Sequence, residues 1–207
     1  MRYANGHGQK TRRRIVENAS FGLRQNGVDG LSVADLMKLA DLTHGSFYTY
    51  FKSRDHLVLE ALALAMDRTV AHWLDLTQGV RPEKGFDAIV ESYLGAHHRN
   101  DPARGCALPA LATDIGRSGP QARRTLAGGL QKMIDVIASL IPTRSSAGAR
   151  LDAAGAIATM VGSIMLARAV GDKRLSDTLL VAGRQALHRQ TGSDHAGGDD
   201  AAHDRMI

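Results

Sequence analysis

The chain has 207 residues, one cysteine and a formal charge of +5, enough length to bury a core without disulfide staples. A lone Cys106 excludes an internal bridge and the Cys-rich zinc modules and fits a reducing cytoplasm, while the polar stretch Met1 to Lys10 lacks the apolar run of an export signal. Net charge is +4 over residues 1–56, +4 over 57–190 and −3 over 191–207, so positive charge is densest at the front.

Ala, Leu, Ile and Met fill the chain while aromatics make up only 4%, a balance that suits helices better than sheets. The first helix is predicted over about Gln9 to Asn26, since Ile15, Ala19 and Leu23 recur at spacing four and Gly27 supplies a stop. It opens on Lys10, Arg12, Arg13 and Arg14, a cluster able to displace counterions from a phosphate backbone, or simply a solvated basic helix end. Ser32 with Asp35 reads as a capping box for a short helix through Val33, Leu36, Met37 and Ala40, ending near Asp41. Thr43 with Ser46 starts another short helix, and Ser53 caps the next, from about Arg54 to Thr77, with Leu62, Met66, Val70 and Trp73 as its buried stripe.

Two short helices joined by a few residues, behind a longer basic helix, have the layout of a helix-turn-helix, whose second helix enters the major groove. On a helix starting at His44, Phe47 and Phe51 are four apart and face the core, on a different arc from Gly45, Tyr48 and Thr49. Gly45 lets backbone approach DNA, and Tyr48 offers a hydroxyl to phosphate and a ring to a thymine methyl. Thr43 and Ser32 stand at helix N-termini, where free amides favour phosphate.

These residues, Thr11 to Leu62, resemble the N-terminal DNA-binding region of TetR-family regulators. The likeness lies in Arg14-Ile15-Val16, Ala19, Gly27, Ser32-Val33 and Leu36, and above all in the run from Gly45 through Ser46-Phe47-Tyr48-Thr49-Tyr50-Phe51-Lys52-Ser53-Arg54-Asp55-His56 to Leu57. The resemblance implies DNA contacts from Thr43, His44, Gly45, Tyr48, Thr49 and Tyr50 and a phosphate contact from Arg54, with Arg12 and Arg14 of the basic cluster beside them. Val28 stands where the family usually has an aromatic, Leu31 where it has Thr and His44 where Lys is common. Asp41 replaces the usual turn glycine, and Asp tolerates left-handed geometry better than most residues.

Further along, helices are predicted over about Gly85 to His98, Cys106 to Gly116, and Leu126 to Ile141, the last the clearest amphipathic pattern, with Met133, Ile134 and Ile137 on its face. Residues 153–167 carry no charge, but fifteen residues broken by Gly155, Thr159, Gly162 and Ser163 fall short of a membrane span and read as a buried helix. The last helix is predicted over Leu175 to about Gln190. Thr191 to Ile207, rich in Gly, Asp and His, is expected to be disordered.

The expected fold is therefore all-α, about nine helices: a helix-turn-helix domain over 1–56, a helical effector-binding and dimerisation domain over 57–190, and a tail over 191–207. Gly105-Cys106 and the run from Arg168 to Asp172 look like a common subgroup of the family. The resemblance implies a homodimer through the last two helices, with Ala154, Ala158 and Gly162 allowing close approach and Leu179, Gly183, Ala186 and Leu187 as the partner stripe, on a palindromic double-stranded DNA operator. It implies repression relieved by a small-molecule effector among the middle helices, where Trp73, Tyr93, His97, Cys106, Leu108, Leu111, Met133, Ile137, Met160 and Ile164 are either pocket or plain core. Cys106 reads as a small buried residue or as an activated thiol beside Arg104. His97 and His98 are adjacent and point about 100° apart on a helix, so they do not chelate one ion. No cofactor, metal set, membrane segment or enzyme constellation appears at recognisable spacing. A ligand-binding adaptor that has lost specific DNA binding is the competing reading.

Overall fold

The structure, a computed structural model, describes residues 2–141 and 145–191. The expected disorder of the tail lies outside the described residues. Among those residues the secondary structure is helical: α1 (Arg2–Asn26), α2 (Val33–Lys38), a 3-10 turn (His44–Ser46) running into α3 (Phe47–Tyr50), α4 (Arg54–Thr77), α5 (Pro82–Tyr93), α6 (Ala96–Asn100), α7 (Ala107–Arg117), α8 (Pro120–Ala138), α9 (Ser146–Ala169) and α10 (Lys173–Thr191).

Local chemistry sets most of these boundaries. Gly27 ends α1 with φ +80 and donates to the Leu23 carbonyl at 2.8 Å, a left-handed stop that costs glycine little. At α2 the capping box is complete: Ser32 Oγ accepts from the Asp35 amide at 3.2 Å, and the Asp35 carboxylate accepts from the Ser32 amide at 2.9 Å. Ser53 Oγ likewise accepts from the His56 amide at 3.2 Å to open α4.

The segment 85–98, expected as one helix, is two. In a continued helix the Tyr93 carbonyl would take the His97 amide; instead His98 Nδ1 takes it at 2.7 Å, and the chain breaks at Leu94 and Gly95 before α6. That helix also begins earlier than expected, with Pro82 in its first turn, where its missing amide costs nothing.

One apolar cluster runs from Ile15 on α1 to Leu187 on α10 with no break at residue 56. α4 is the spine: it packs against α1 on one side and α5, α7 and α8 on the other. Gly129 on α8 marks the closest approach, because a Cβ there would lie 2.6 Å from the Met66 side chain. Full burial of Ile15 and Leu23 on α1 and of Leu62 and Trp73 on α4 contributes roughly 1.5–3 kcal/mol per large side chain.

α9 spans 24 residues, longer than the charge-free stretch 153–167, and is long and apolar enough to cross a membrane by length and composition alone, a test that a core helix also passes. Its place here is between α8 and α10, with Ala153, Ile157, Met160 and Ile164 buried against them.

Candidate nucleic-acid interface and ligand cavity

The turn between α2 and α3 is tight. Asp41 takes the left-handed conformation at φ 54, and the Leu42 amide returns to the Met37 carbonyl at 3.0 Å. Asn18 of α1 pins the same corner by donating to the Leu39 carbonyl at 2.8 Å. Beyond the turn, Phe47 and Phe51 are buried and stacked with ring centroids 5.7 Å apart, and Tyr48 sits edge-on to Phe47 at 5.2 Å. Anchored this way, the Tyr48 side chain is 71% exposed on a rigid support.

Thr43, His44, Gly45 and Thr49 are exposed on the same short element, and a Cβ on Gly45 would meet nothing within 4 Å. The structure thus brings together the group singled out in the sequence, with Tyr50 half-buried behind it. Ser32 is exposed at the start of α2, its hydroxyl donating to Asp35 at 2.6 Å.

The cations divide differently from expectation. Arg54, expected at phosphate, donates instead to the Leu31 carbonyl at 3.3 and 3.1 Å and to the Val28 carbonyl, clamping the α1–α2 connector. Arg12 lies over the Phe51 ring at 4.8 Å, pairs with Glu60 and donates to the Tyr50 carbonyl. Both guanidiniums are occupied by the fold. Arg14 is exposed and, among the described residues, makes no ion pair; Lys10, Lys38 and Lys52 share that state. Lys38 and Lys52 were not singled out in the sequence, and their signal was only their place beside the two short helices.

A cavity of about 450 Å³ lies deeper, walled by Phe21 and Arg24 of α1, Arg68 and Trp73 of α4, Tyr93 of α5 and Cys106 before α7. Of the expected pocket residues, Trp73, Tyr93, His97 and Cys106 line it. Leu108, Leu111, Met133, Ile137, Met160 and Ile164 do not; all are buried in the common core. The sequence reading missed Phe21, Arg24 and Arg68, since they sit on helices assigned to DNA binding and to core stripes.

His98 and Gly105 build the cavity floor. His98 Nδ1 donates to the Tyr93 carbonyl, which makes Nε2 the acceptor for the Cys106 amide at 2.9 Å. With both nitrogens used and the ring largely buried, desolvation lowers its pKa to about 4 and the ring stays neutral. A Cβ on Gly105 would fall 2.4 Å from that ring, so the close approach needs glycine. His97 is exposed while His98 turns inward. Burial pushes the Cys106 thiol up, and Arg104 is paired with Asp101 at 3.0 Å, so the thiol lacks the setting of an activated thiolate.

The outer faces of α9 and α10 carry exposed Leu151, Met165, Leu166, Leu175 and Val181. Cβ atoms on Gly155 and Gly162 would meet open space. The stripe of Leu179, Gly183, Ala186 and Leu187, expected to meet a partner, divides: Leu187 is fully buried and a Cβ on Gly183 would lie 2.4 Å from Ser163 Oγ, while Leu179 and Ala186 are half-buried. The outward register of α10 is set one residue away, because buried Ser176 hydrogen-bonds the Ala167 carbonyl at 2.6 Å and fixes the rotation.

Residues 15–61 match the family model of bacterial regulatory proteins of the tetR family. No curated protein matches the sequence. Among solved structures, the chain is similar to a TetR-family transcriptional regulator from Agrobacterium tumefaciens at 20% identity, covering 88% of this chain and 98% of that one with a TM-score of 0.74. A TetR-family regulator from Cytophaga hutchinsonii is 17% identical over 88% and 96% of the two chains, TM-score 0.75. A TetR transcriptional regulator from Chloroflexus aurantiacus J-10-FL is 23% identical over 91% and 96%, TM-score 0.71. At these identities the likeness is one of fold.

Proposed function

We propose that the chain, whose residues 15–61 match the tetR-family model and whose fold is that of TetR-family regulators, is a DNA-binding transcriptional regulator: a homodimeric repressor released from its operator by a small molecule. The observation that carries the reading is the exposed edge from Thr43 to Thr49, with Tyr48 held outward by buried Phe47 and Phe51.

In the proposed complex this edge enters the major groove. Tyr48, His44 and Thr49 read or grip the strand, and Gly45 lets backbone come close. Arg14, Lys38 and Lys52 supply charge toward phosphate, while Arg12 and Arg54 hold the support together. Exposed Leu151, Leu166, Leu175 and Val181 on α9 and α10 support a second copy as the partner, which sets two reading edges on a palindromic site.

The cavity supports the release step because α1, which packs under the reading element, forms one of its walls through Phe21 and Arg24. A ligand that fits better when α1 is displaced shifts the equilibrium away from the DNA-binding arrangement, by no more than its differential affinity for the two states.

Selection of bound sequences from a random duplex pool, followed by anisotropy titration of the winner, tests the reading. A palindromic consensus is expected, and Tyr48→Ala should weaken it by about 1–3 kcal/mol, roughly 5- to 150-fold, without lowering the melting temperature. A pool that yields no preferred sequence would sink the proposal.

A further inference from the structure

The cavity contains a charge imbalance that the fold itself does not resolve. Arg68 is paired with Glu17 at 3.1 Å, and Arg104 with Asp101 at 3.0 Å. Arg24 has only neutral acceptors: Nε donates to the Ala103 carbonyl at 2.7 Å and Nη1 to the Ser20 hydroxyl at 2.9 Å. Among the described residues it makes no ion pair, although only 4% of its surface is exposed. Burial and the neighbouring Arg68 lower its pKa to about 10, which leaves it cationic at neutral pH. Asp101 acts on Arg24 electrostatically but is itself paired with Arg104; a buried cation with no ion-pair partner of its own is costly to a fold, so its retention at a cavity wall points to something that completes it.

A second, independent group points the same way. The Tyr93 hydroxyl is buried and has no hydrogen-bond partner; the Cys106 thiol lies beside it without the geometry of a hydrogen bond. A buried hydroxyl normally finds an acceptor. Arg24, Tyr93 and Cys106 all line this one cavity, so the cation and the orphan donor border the same space. The remaining walls include the rings of Phe21 and Trp73, and both Arg24 and Arg68 stand 5.3 Å from the Phe21 centroid.

We propose that the cavity takes a small organic anion bearing an apolar ring, its anionic oxygens held by the Arg24 guanidinium and the Tyr93 hydroxyl and its ring packed against Phe21 and Trp73. The cavity volume of about 450 Å³ suits such a molecule. The assignment deepens the reading of this cavity as the effector site and depends on that reading only for its consequence at DNA. Since Arg24 ties α1 to the Ala103 carbonyl, an anion that draws the guanidinium inward pulls on the helix beneath the reading edge.

Trp73, the single tryptophan, is part of the cavity wall, so its emission reports occupancy. The full-length protein is titrated with benzoate, with phenyl phosphate and with neutral benzamide. At least one anion should saturate the signal about tenfold more tightly than benzamide, and the better of the two tells a carboxylate from a phosphate. Arg24→Gln should erase the preference, and Arg24→Lys should keep part of it. Should Arg24→Gln lose its fold, Tyr93→Phe carries the test: it removes a donor with no partner, so it should melt no lower than the parent yet bind the anion several-fold more weakly. Equal binding of benzamide, no saturable response to either anion, or a preference that survives in Tyr93→Phe and Arg24→Gln overturns the assignment. An anion that binds without affecting the DNA complex sinks the release mechanism and leaves the site. Benzamide that releases DNA sinks the anion and leaves the mechanism.

Discussion

The reading edge and the cavity use polar residues in opposite ways. At the edge, Thr43, His44, Tyr48 and Thr49 come from one stretch of chain and face outward over a small aromatic support. In the cavity, Arg24, Arg68, Tyr93 and His98 come from four helices; Arg24 and Tyr93 are buried, where each polar atom needs a partner, while Arg68 stays part-exposed on Glu17. The first is a local motif whose geometry follows from helix periodicity. The second exists only because distant helices meet, and its energetics are those of burial.

The largest effect should come from the support itself. Phe47→Ala removes a fully buried ring and should cost about 3–5 kcal/mol in denaturant unfolding, together with loss of DNA binding. Its neighbour Tyr48, exposed on the same turn, should act on binding alone; if both substitutions destabilise alike, the division between support and reading edge is wrong.

Next, Arg54→Ala should lower stability by roughly 1.5–3 kcal/mol, because the carbonyls of Val28 and Leu31 lose a charged donor. A variant as stable as the parent but weaker on DNA would return Arg54 to the phosphate contact expected from the sequence.

The cavity is sharpened by pH. Unfolded, His98 takes a proton near its ordinary value of 6.5; folded, burial holds it neutral down to about 4. Between these values the unfolded chain binds more protons, so this contribution to stability is complete above 6.5 and is lost as pH falls toward 4. The expected loss is about 2 kcal/mol at pH 5 relative to pH 8, measured by urea unfolding. Flat stability across that window would mean that the His98 ring is not locked between Tyr93 and Cys106.

The smallest effect should be that of Arg14→Ala. With no ion pair to break, it should leave unfolding unchanged and reduce the slope of log affinity against log salt by about one. An unchanged slope would place α1's exposed cations away from the duplex.

Much of the reading edge was legible because the signals are short-range. The Ser32–Asp35 box, the Gly27 stop and the four-residue spacing of Phe47 and Phe51 each depend on residues a turn apart, and each is present in the structure. The clamp made by Arg54 was not legible because its partners lie more than twenty residues away, at Val28 and Leu31, and nothing in its own neighbourhood points to them. The burial of Gly183 and Leu187 on α10 was not legible for a related reason. Periodicity marks one apolar face, yet α10 has apolar residues on two sides, and only its contact with Ser163 and Leu94 decides which is covered.

From the sequence alone came the helical class, most helix ends and the outward set Thr43, His44, Gly45, Tyr48 and Thr49, since capping, turn geometry and amphipathic spacing are properties of contiguous chain. Tertiary structure alone decided that Arg24 of the front helix faces a cavity with Tyr93 and Trp73, that His98 breaks a helix by taking the Tyr93 carbonyl, and that Arg54 belongs to the fold. Burial and hydrogen-bond completion are set by which helices meet, and a residue's charge is confined or released according to neighbours far from it in the chain.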